Sequence, residues 1–509
     1  MIQGFATNKG TAVYSARETN ISKEFNHLGK TELSVSQVGF GTYRCDSRSL
    51  EHKNALKKAI RLGVNIIDTS ANYADGKSES MIGEVLASMI ASEEITREQI
   101  VIVSKGGYIQ GENFERISKE LEHRQPDMTI GSFDAELVRY NPGLWHSIHP
   151  EFLEDQITRS LERLDLATID VYLLHNPEYY IQWAINENVA EDEVREIYEA
   201  RIAKALSYLE TEVERGRIKW YGISSNTFPK TEDSIDRTSL ERIFKERSNK
   251  PNHFAVIQLP VNLFERGGIT EMNQERSTES VIEFARKHDI GILINRPLNA
   301  IKNKLLIRLA DYPEREYPPE QDISDLVHDL KLQEDEFKNE PLKEVSLNPQ
   351  SYDAVKKLLG VGEWLDNNRW SAFSSFEEWR DLLYTVIRPR LQYVFDLLRS
   401  TQAENPAIFT LLQGYAESVD EVFEHITNFY LTKSNERATH IHDAMRSLMP
   451  AENEEMSLSQ KAILMLRSIH GVSSVLVGMR SEEYVDDVIY GLQVPILDNV
   501  EEKWKELQL

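Results

Sequence analysis

The chain has 509 residues, enough for two or three ordinary domains or for one barrel carrying insertions. With 83 acidic against 58 basic residues its formal charge is −25, which argues against nucleic acid or an anionic membrane as the main partner and leaves room for only a locally basic pocket. The single cysteine, Cys45, excludes an intrachain disulfide and a cysteine-based zinc site; the first residues lack the apolar stretch of a secretory signal, and no run approaches the ~18 uncharged residues of a membrane span, so a soluble cytoplasmic protein is expected.

Residues 1–24 mix Thr, Ser, Asn and Lys with few apolar positions and are expected to form a poorly ordered lead-in. Phe25–Leu28 and Leu33–Val35 flank a Gly29-Lys30 turn and predict a short hairpin. Gln37–Gly41 reads as a strand delivering Thr42 and Tyr43 to its carboxyl end, and Leu50–Leu62 as an amphipathic helix stopped by Gly63. Val64, Ile66 and Ile67 have the β-branched composition of a strand covered on both faces; it closes on Asp68, with Tyr73 a short loop later.

The alternation continues. Helix Ser78–Met89 precedes a strand, Ile100–Val103, that ends in Ser104-Lys105. A long connection up to Pro150 carries Gly106-Gly107, Pro126, Gly131 and Asn141-Pro142-Gly143, and is expected to be an extended substrate loop on the active face. Helix Glu151–Leu164 leads to the strand Ile169–Leu174 and then to His175-Asn176; helix Asp192–Arg215 and strand Ile218–Ile223 follow. Leu240–Arg247, strand Ala255–Leu259, helix Thr278–Lys287 and strand Ile290–Asn295 bring the alternation of an α/β fold to its seventh strand.

After Arg296-Pro297-Leu298 the next helix, Ser457–Ile469, and the next strand, Ser473–Val477, arrive far beyond any ordinary loop length, so residues 299–456 are an insertion. Its first part, 299–350, is rich in Glu, Asp, Lys and Pro and reads as an acidic, solvated connector with some helix. In the second part Trp364, Trp370, Phe373, Phe376 and Trp379 lead into Leu382, Leu383, Val386, Leu391, Val394, Leu397 and Leu398, spaced for buried helical faces. This stripe is expected to be the core of a small helical subdomain rather than a binding box for a second cofactor or protein. Leaving the seventh strand at its carboxyl end, the insertion is placed to act as a lid or specificity element.

In a parallel barrel the carboxyl ends of the strands converge on one face, so Asp68, Tyr73, Lys105 and His175 would meet at one mouth. Taken singly, each has an ordinary reading as a cap, a rim aromatic, a solvated strand end or a satisfied histidine. Together, and with the words Gly39-Phe40-Gly41-Thr42, Asn65-Ile66-Ile67-Asp68-Thr69-Ser70 and Gly222-Ile223-Ser224-Ser225-Asn226, the chain resembles the aldo-keto reductases over about residues 25–298 and 457–492. The resemblance implies a (β/α)8 TIM barrel with an N-terminal β-hairpin closing its bottom and a mainly helical insertion between strand seven and helix seven. The expected division is 1–24 lead-in, 25–298 first part of the barrel, 299–456 insertion and 457–509 barrel completion. It further implies a catalytic tetrad: Tyr73 as proton donor, Lys105 as the cation lowering its pKa, Asp68 holding Lys105, and His175 orienting the substrate oxygen.

The same resemblance assigns the nicotinamide carboxamide to a Ser-Asn pair, in either register among Ser224, Ser225 and Asn226, and to Gln258. Where many relatives place a stacking aromatic this chain has Asn295-Arg296, and Arg296 either reaches the pyrophosphate or makes a simple salt bridge. Val477-Gly478-Met479-Arg480-Ser481 looks like the family's phosphate-binding segment. Gly478, Arg480 and Ser481 are therefore cofactor positions, and Arg480 with Ser481 suits the 2′-phosphate of NADP; NAD stays open because Tyr484 and Val488 stand where a basic residue and an Asn are usual. His146 and His149 lack a third ligand, so no metal is expected. The implied function is NAD(P)H-dependent interconversion of a carbonyl (aldehyde, ketone or sugar) and an alcohol. Two alternatives are a cofactor-bound regulatory or scaffold protein whose insertion engages a protein partner, and a stress-related protein with weak, broad reductase activity.

Overall fold

The computed structural model describes residues 1–17, 21, 24–247, 252–302, 305–339, 341–345, 347–401 and 406–509. It divides into two compact units: Met1–Ala300 with Leu448–Leu509, and Ile301–Ser447.

In the first unit, near-continuous apolar runs form strands buried on both faces, the composition of a parallel sheet covered by helices. Eight such strands close a barrel in chain order: β1 (Val38–Gly41), β2 (Ile66–Asp68), β3 (Val101–Gly106), β4 (Ile169–His175), β5 (Ile218–Ser224), β6 (Phe254–Pro260), β7 (Gly291–Asn295) and β8 (Val472–Val477). Every neighbouring pair is parallel, so all carboxyl ends lie on one face. Register then fixes who meets whom: Lys105 lies opposite Leu173, and Ser224 opposite both His175 and Gln258. Inside, Ile66, Val101, Val103, Val171, Leu173, Val256, Leu293 and Leu476 fill the barrel.

The opposite end is closed by the antiparallel hairpin Phe25–His27 and Ser34–Ser36, whose Leu28, Leu33 and Val35 join the interior cluster. Gly29 makes the plug possible. Its φ is 50°, and a Cβ there would lie 2.3 Å from the amide nitrogen of Gly291. Among the helices, Leu50–Arg61 is capped by Ser49 and followed by Gly63 at φ 115°. Pro150–Leu164 is capped by His149, whose Nδ1 accepts from the backbone N–H of Glu151 at 3.3 Å.

Three expectations are corrected. Residues 1–24, read as a poorly ordered lead-in, contain a helix, Asn8–Ser15, capped by Thr7, with a buried Tyr14 whose hydroxyl donates to the carbonyls of Ile60 and Val64. A polar segment is held here by a few long-range contacts that composition does not display; the part of that expectation falling on 18–20 and 22–23 lies outside the described residues. The connection from Lys105 to Pro150 is not an extended loop. It holds a three-stranded antiparallel sheet (Tyr108–Ile109, Val138–Asn141, Leu144–His146), a helix, Gly111–Glu122, and a small core of Ile109, Ile117, Leu137 and Phe152. Strands of two to four residues are too short to show an alternation.

The second unit is helical, and the third correction lies in it. Glu320–Asn339, inside the stretch read as a solvated connector, is a helix whose Ile323, Val327, Leu330 and Phe337 belong to the same core as Trp370, Trp379, Val394, Leu398, Phe423 and Ile426. Its apolar stripe has helical spacing, but the acidic residues around it obscure the pattern. The buried Glu334 on this helix accepts from the Gly362 N–H at 2.8 Å and from the Tyr415 hydroxyl at 2.7 Å. The aromatic stretch is packing: Trp379 is fully buried, with its indole N–H on Thr427 Oγ1 at 2.9 Å. Expectations for residues 303–304, 340, 346 and 402–405 lie outside the described residues. Among those described, no helix is long and apolar enough to cross a membrane.

Candidate active site at the barrel mouth

Lys105 stands one residue from the end of β3, a strand buried on both faces, and its side chain is wholly buried. An ammonium in such a place must spend its donors on partners. Its Nζ donates to Asp68 Oδ2 at 2.8 Å, to the Thr69 carbonyl at 2.7 Å and to the Tyr73 hydroxyl at 3.4 Å. The other oxygen of Asp68 accepts from Gln258 Nε2 at 2.7 Å, and Gln258 Oε1 accepts from Ser224 Oγ at 3.1 Å and from Asn295 Nδ2 at 3.2 Å. One polar network thus runs through the ends of β2, β3, β5, β6 and β7.

Tyr73 arrives on a tight turn, Tyr73–Gly76, in which Ala74 and Asp75 have φ of 49° and 53°. The Lys105 ammonium also lies 4.9 Å from its ring centroid. His175 ends β4. Its Nδ1 is 3.0 Å from Ser70 Oγ, and its ring meets Tyr73 and Tyr108 edge to face at centroid distances of 6.1 Å and 4.7 Å. Behind it, the Nε2–H of the buried His146 donates to the His175 carbonyl at 2.7 Å. The exposed Tyr43 lies edge-on to Tyr73 at 5.2 Å.

Burial sets the charge states. It pushes the Asp68 carboxyl up and the Lys105 ammonium down, and each opposes the shift of the other. Burial, and then the Asp68 carboxylate, raises the Tyr73 phenol well above 10. At neutral pH Tyr73 carries its proton. Burial, followed by the charge of Lys105, holds His175 well below 6.5, leaving a neutral imidazole.

Asp68, Tyr73, Lys105 and His175 are therefore gathered at the carboxyl end of the barrel, with Ser224 and Gln258 beside them. Of the two registers for the Ser-Asn pair, Ser224 joins this network while Ser225 turns away to donate to Glu178 Oε2 at 2.9 Å. The Asn226 side chain is exposed and its backbone N–H donates to Glu178 Oε1 at 2.8 Å. Arg296 is ion-paired with Glu265 at 2.6 Å. Gly478 follows β8, and Arg480 and Ser481 line a cavity of about 680 Å³ with His52, Asn54, Glu482 and Glu483. Ser481 caps the helix Glu482–Leu492, accepting from the Tyr484 N–H at 3.3 Å.

Sequence reasoning missed Ser70, Tyr108, Glu178 and the polar role of Asn295. Ser70 lies in the loop directly after the strand that ends at Asp68, within the word Asn65–Ser70 that the sequence already singles out, a signal that was available. Glu178 carried none, since a carboxylate in a loop normally reads as solvated. A buried acid–base pair, a protonated phenol and a neutral imidazole brought together at one end of the barrel can deliver a proton to an oxygen and take it back.

The model of the Aldo/keto reductase family matches residues 37–322. The NADH-specific methylglyoxal reductase of Escherichia coli K12 is 26% identical over 194 residues, 34% of this chain and 51% of that protein. The L-galactose dehydrogenase of Arabidopsis thaliana is 33% identical over 200 residues, 33% of this chain and 60% of that protein. The chain spans about half to three-fifths of the length of the curated relatives it matches. Among solved structures, the holo form of the aldo-keto reductase AKR11C1 from Bacillus halodurans gives a TM-score of 0.44 at 14% identity, covering 95% of this chain and 96% of that one.

Proposed function

The chain belongs to the aldo/keto reductase family, and on that premise we propose that it is a nicotinamide-dependent oxidoreductase that interconverts a carbonyl and an alcohol. The observation that carries this reading is Lys105 Nζ held between Asp68 Oδ2 at 2.8 Å and the Tyr73 hydroxyl at 3.4 Å. A phenol, a cation and a compensating carboxylate form a proton-transfer unit, and a purely structural lysine has no need of the phenol.

The polar groups present suit a dinucleotide. Asn295 Oδ1 is buried without a partner, an acceptor fit for a carboxamide N–H, and lies beside Ser224 and Gln258. Arg480 and the amino end of the Glu482–Leu492 helix, where backbone N–H groups are free, suit phosphate oxygens. Bound there, the nicotinamide supplies or accepts the hydride. Of the two dinucleotides we favour NADP, because Arg480 provides a cation for the 2′-phosphate; Glu482 and Glu483 on the same rim work against it.

In reduction Tyr73 gives its proton to the carbonyl oxygen, while the neutral His175 hydrogen-bonds and orients that oxygen. Lys105 stabilises the phenolate left behind, and Asp68 keeps the ammonium in place. In alcohol oxidation the phenolate takes the proton back. The substrate class is an aldehyde, a ketone or a sugar.

Fluorescence titration with NADPH and NADH, followed by a panel of carbonyls against the parent and Tyr73→Phe, tests the reading. The expected result is cofactor binding by both proteins and turnover by the parent alone. A Tyr73→Phe protein as active as the parent removes the proton donor from the scheme. Tight binding without turnover of any carbonyl turns the reading towards a nucleotide-sensing role.

A further inference from the structure

The ends of β4 and β5 are tied side by side, the Asn176 N–H donating to the Ser224 carbonyl at 2.8 Å. Just beyond, Glu178 is 1% exposed and uses both carboxylate oxygens on the next turn, Oε2 for the Ser225 hydroxyl at 2.9 Å and Oε1 for the Asn226 backbone N–H at 2.8 Å. The Ser225 oxygen in turn accepts from the Thr227 N–H at 3.1 Å and lies 3.0 Å from Thr238 Oγ1, which meets the Tyr198 hydroxyl at 2.6 Å. The charge acting on Glu178 comes from Asp236, not from a cation. A buried carboxylate with no counter-charge is costly, whereas Gln or Leu in the same space is not. What the carboxylate offers in exchange is two acceptors on a single turn, the one that begins at Ser224.

We propose that Glu178 is a positioning residue that clamps the Ser224–Asn226 turn and thereby sets the affinity for the nicotinamide end of the cofactor; this rests on the cofactor-binding reading above. The clamp is strongest when Glu178 is ionised and both oxygens accept. Protonation removes the charge: the Ser225 hydroxyl can turn to accept from the carboxylic acid and donate to Thr238 Oγ1 instead, so both contacts persist but neither is charge-assisted. Burial pushes the Glu178 carboxyl up to about 7, so that change falls in the neutral range.

The titratable groups described around it are shifted away from that range. On its own helix Tyr179 is raised above 10, as are Tyr108 and Tyr198 on neighbouring elements, in each case first by burial. Asp236 is raised by burial, but Lys230 and Ser234 bring it below the usual range. His146 and His175 are lowered by burial, His146 to about 4.

The test measures the dissociation constants of NADH and NADPH for the parent protein, Glu178→Gln and Glu178→Asp by nicotinamide fluorescence, from about pH 5.5 to about pH 8.5, with kcat and KM on the best carbonyl. For the parent, the dissociation constant is expected to rise as pH falls through about 7, towards the roughly tenfold that separates a charge-assisted from a neutral hydrogen bond. For Glu178→Gln the constant should be weak and flat with pH, meeting the parent at the acid end, and the loss should fall on cofactor affinity more than on kcat. Equal affinity and an equal pH profile in parent and Glu178→Gln overturns the proposal. Should Glu178→Gln fail to fold, Glu178→Asp, whose shorter side chain cannot span both contacts, decides: an affinity and pH profile equal to the parent's overturns the proposal. Absence of dinucleotide binding by the parent at every pH is a different failure, that of the cofactor reading.

Discussion

The side-chain amide of Gln258 donates to Oδ1 of Asp68 at 2.7 Å, so the carboxylate that holds Lys105 is also held by the residue assigned to the cofactor. Gln258→Leu leaves that oxygen buried without a partner, which costs about 1–3 kcal/mol. A lower melting temperature is expected together with weaker dinucleotide binding. Gln258→Glu sets a second carboxylate against Asp68, and its deficit should be larger at pH 8 than at pH 5, where one of the two can take a proton. Thermal melts of the three proteins at the two pH values decide it; a Gln258→Leu protein that melts with the parent shows the shared carboxylate to be unimportant.

Lys105→Met tests the other half of the pair. Asp68 is buried and would lose its counter-charge, a loss of about 3–5 kcal/mol for a broken buried pair. The double variant with Asp68→Asn removes both charges and should recover part of that stability, since neighbours in one network do not add. Urea denaturation of the two single variants and the double variant gives the coupling. A double variant as unstable as the sum of the singles argues that the two groups act separately.

Tyr73→Phe keeps the ring, with its edge-to-face contacts to Tyr43 and His175, and removes only the hydroxyl. Reductase turnover is expected to fall by about 10²–10⁴, the usual contribution of a positioned general acid, with little change in melting temperature. Because burial and Asp68 raise the phenol well above 10, the parent's reduction rate should stay level through pH 9 where an ordinary phenol would begin to lose its proton. A rate falling between pH 7 and pH 9 contradicts that direction of shift.

The barrel was legible because each of its strands is an apolar run bounded by a helix, and three of those runs lead to an ionisable residue where packing would place none. Asp68, Lys105 and His175 announce themselves that way. The three-stranded sheet carrying Tyr108 and His146 did not, because its strands are stabilised by a local core and not by a repeating pattern. Nor could Glu178 be seen: its role depends on facing Ser225 and Asn226, distant in sequence and brought near only by the pairing of β4 with β5. The upward shift of Tyr73 was likewise invisible, since the residues give the identity of its neighbours but not how little water remains among them.

His146 offers a stability test with a defined sign. Burial lowers it from 6.5 to about 4, so the native state prefers the neutral ring, whose Nε2–H holds the His175 carbonyl. Its contribution is fully present above the unfolded value and is lost as pH falls from 6.5 towards 4, by up to about 3 kcal/mol. Glu178 runs the other way: raised to about 7, it favours the folded state at low pH and loses that contribution as pH rises from its ordinary 4.5 through about 7. The parent's own profile therefore mixes two opposite slopes in the same window. Comparison with His146→Gln separates them, because Glu178 is common to both proteins. The stability of the parent relative to this variant should decline steadily between pH 6.5 and pH 4, in denaturant melts at matched salt. A difference that stays constant across that interval means that His146 takes up a proton without opposition in the folded protein, and that the ring behind His175 is not held neutral by its surroundings.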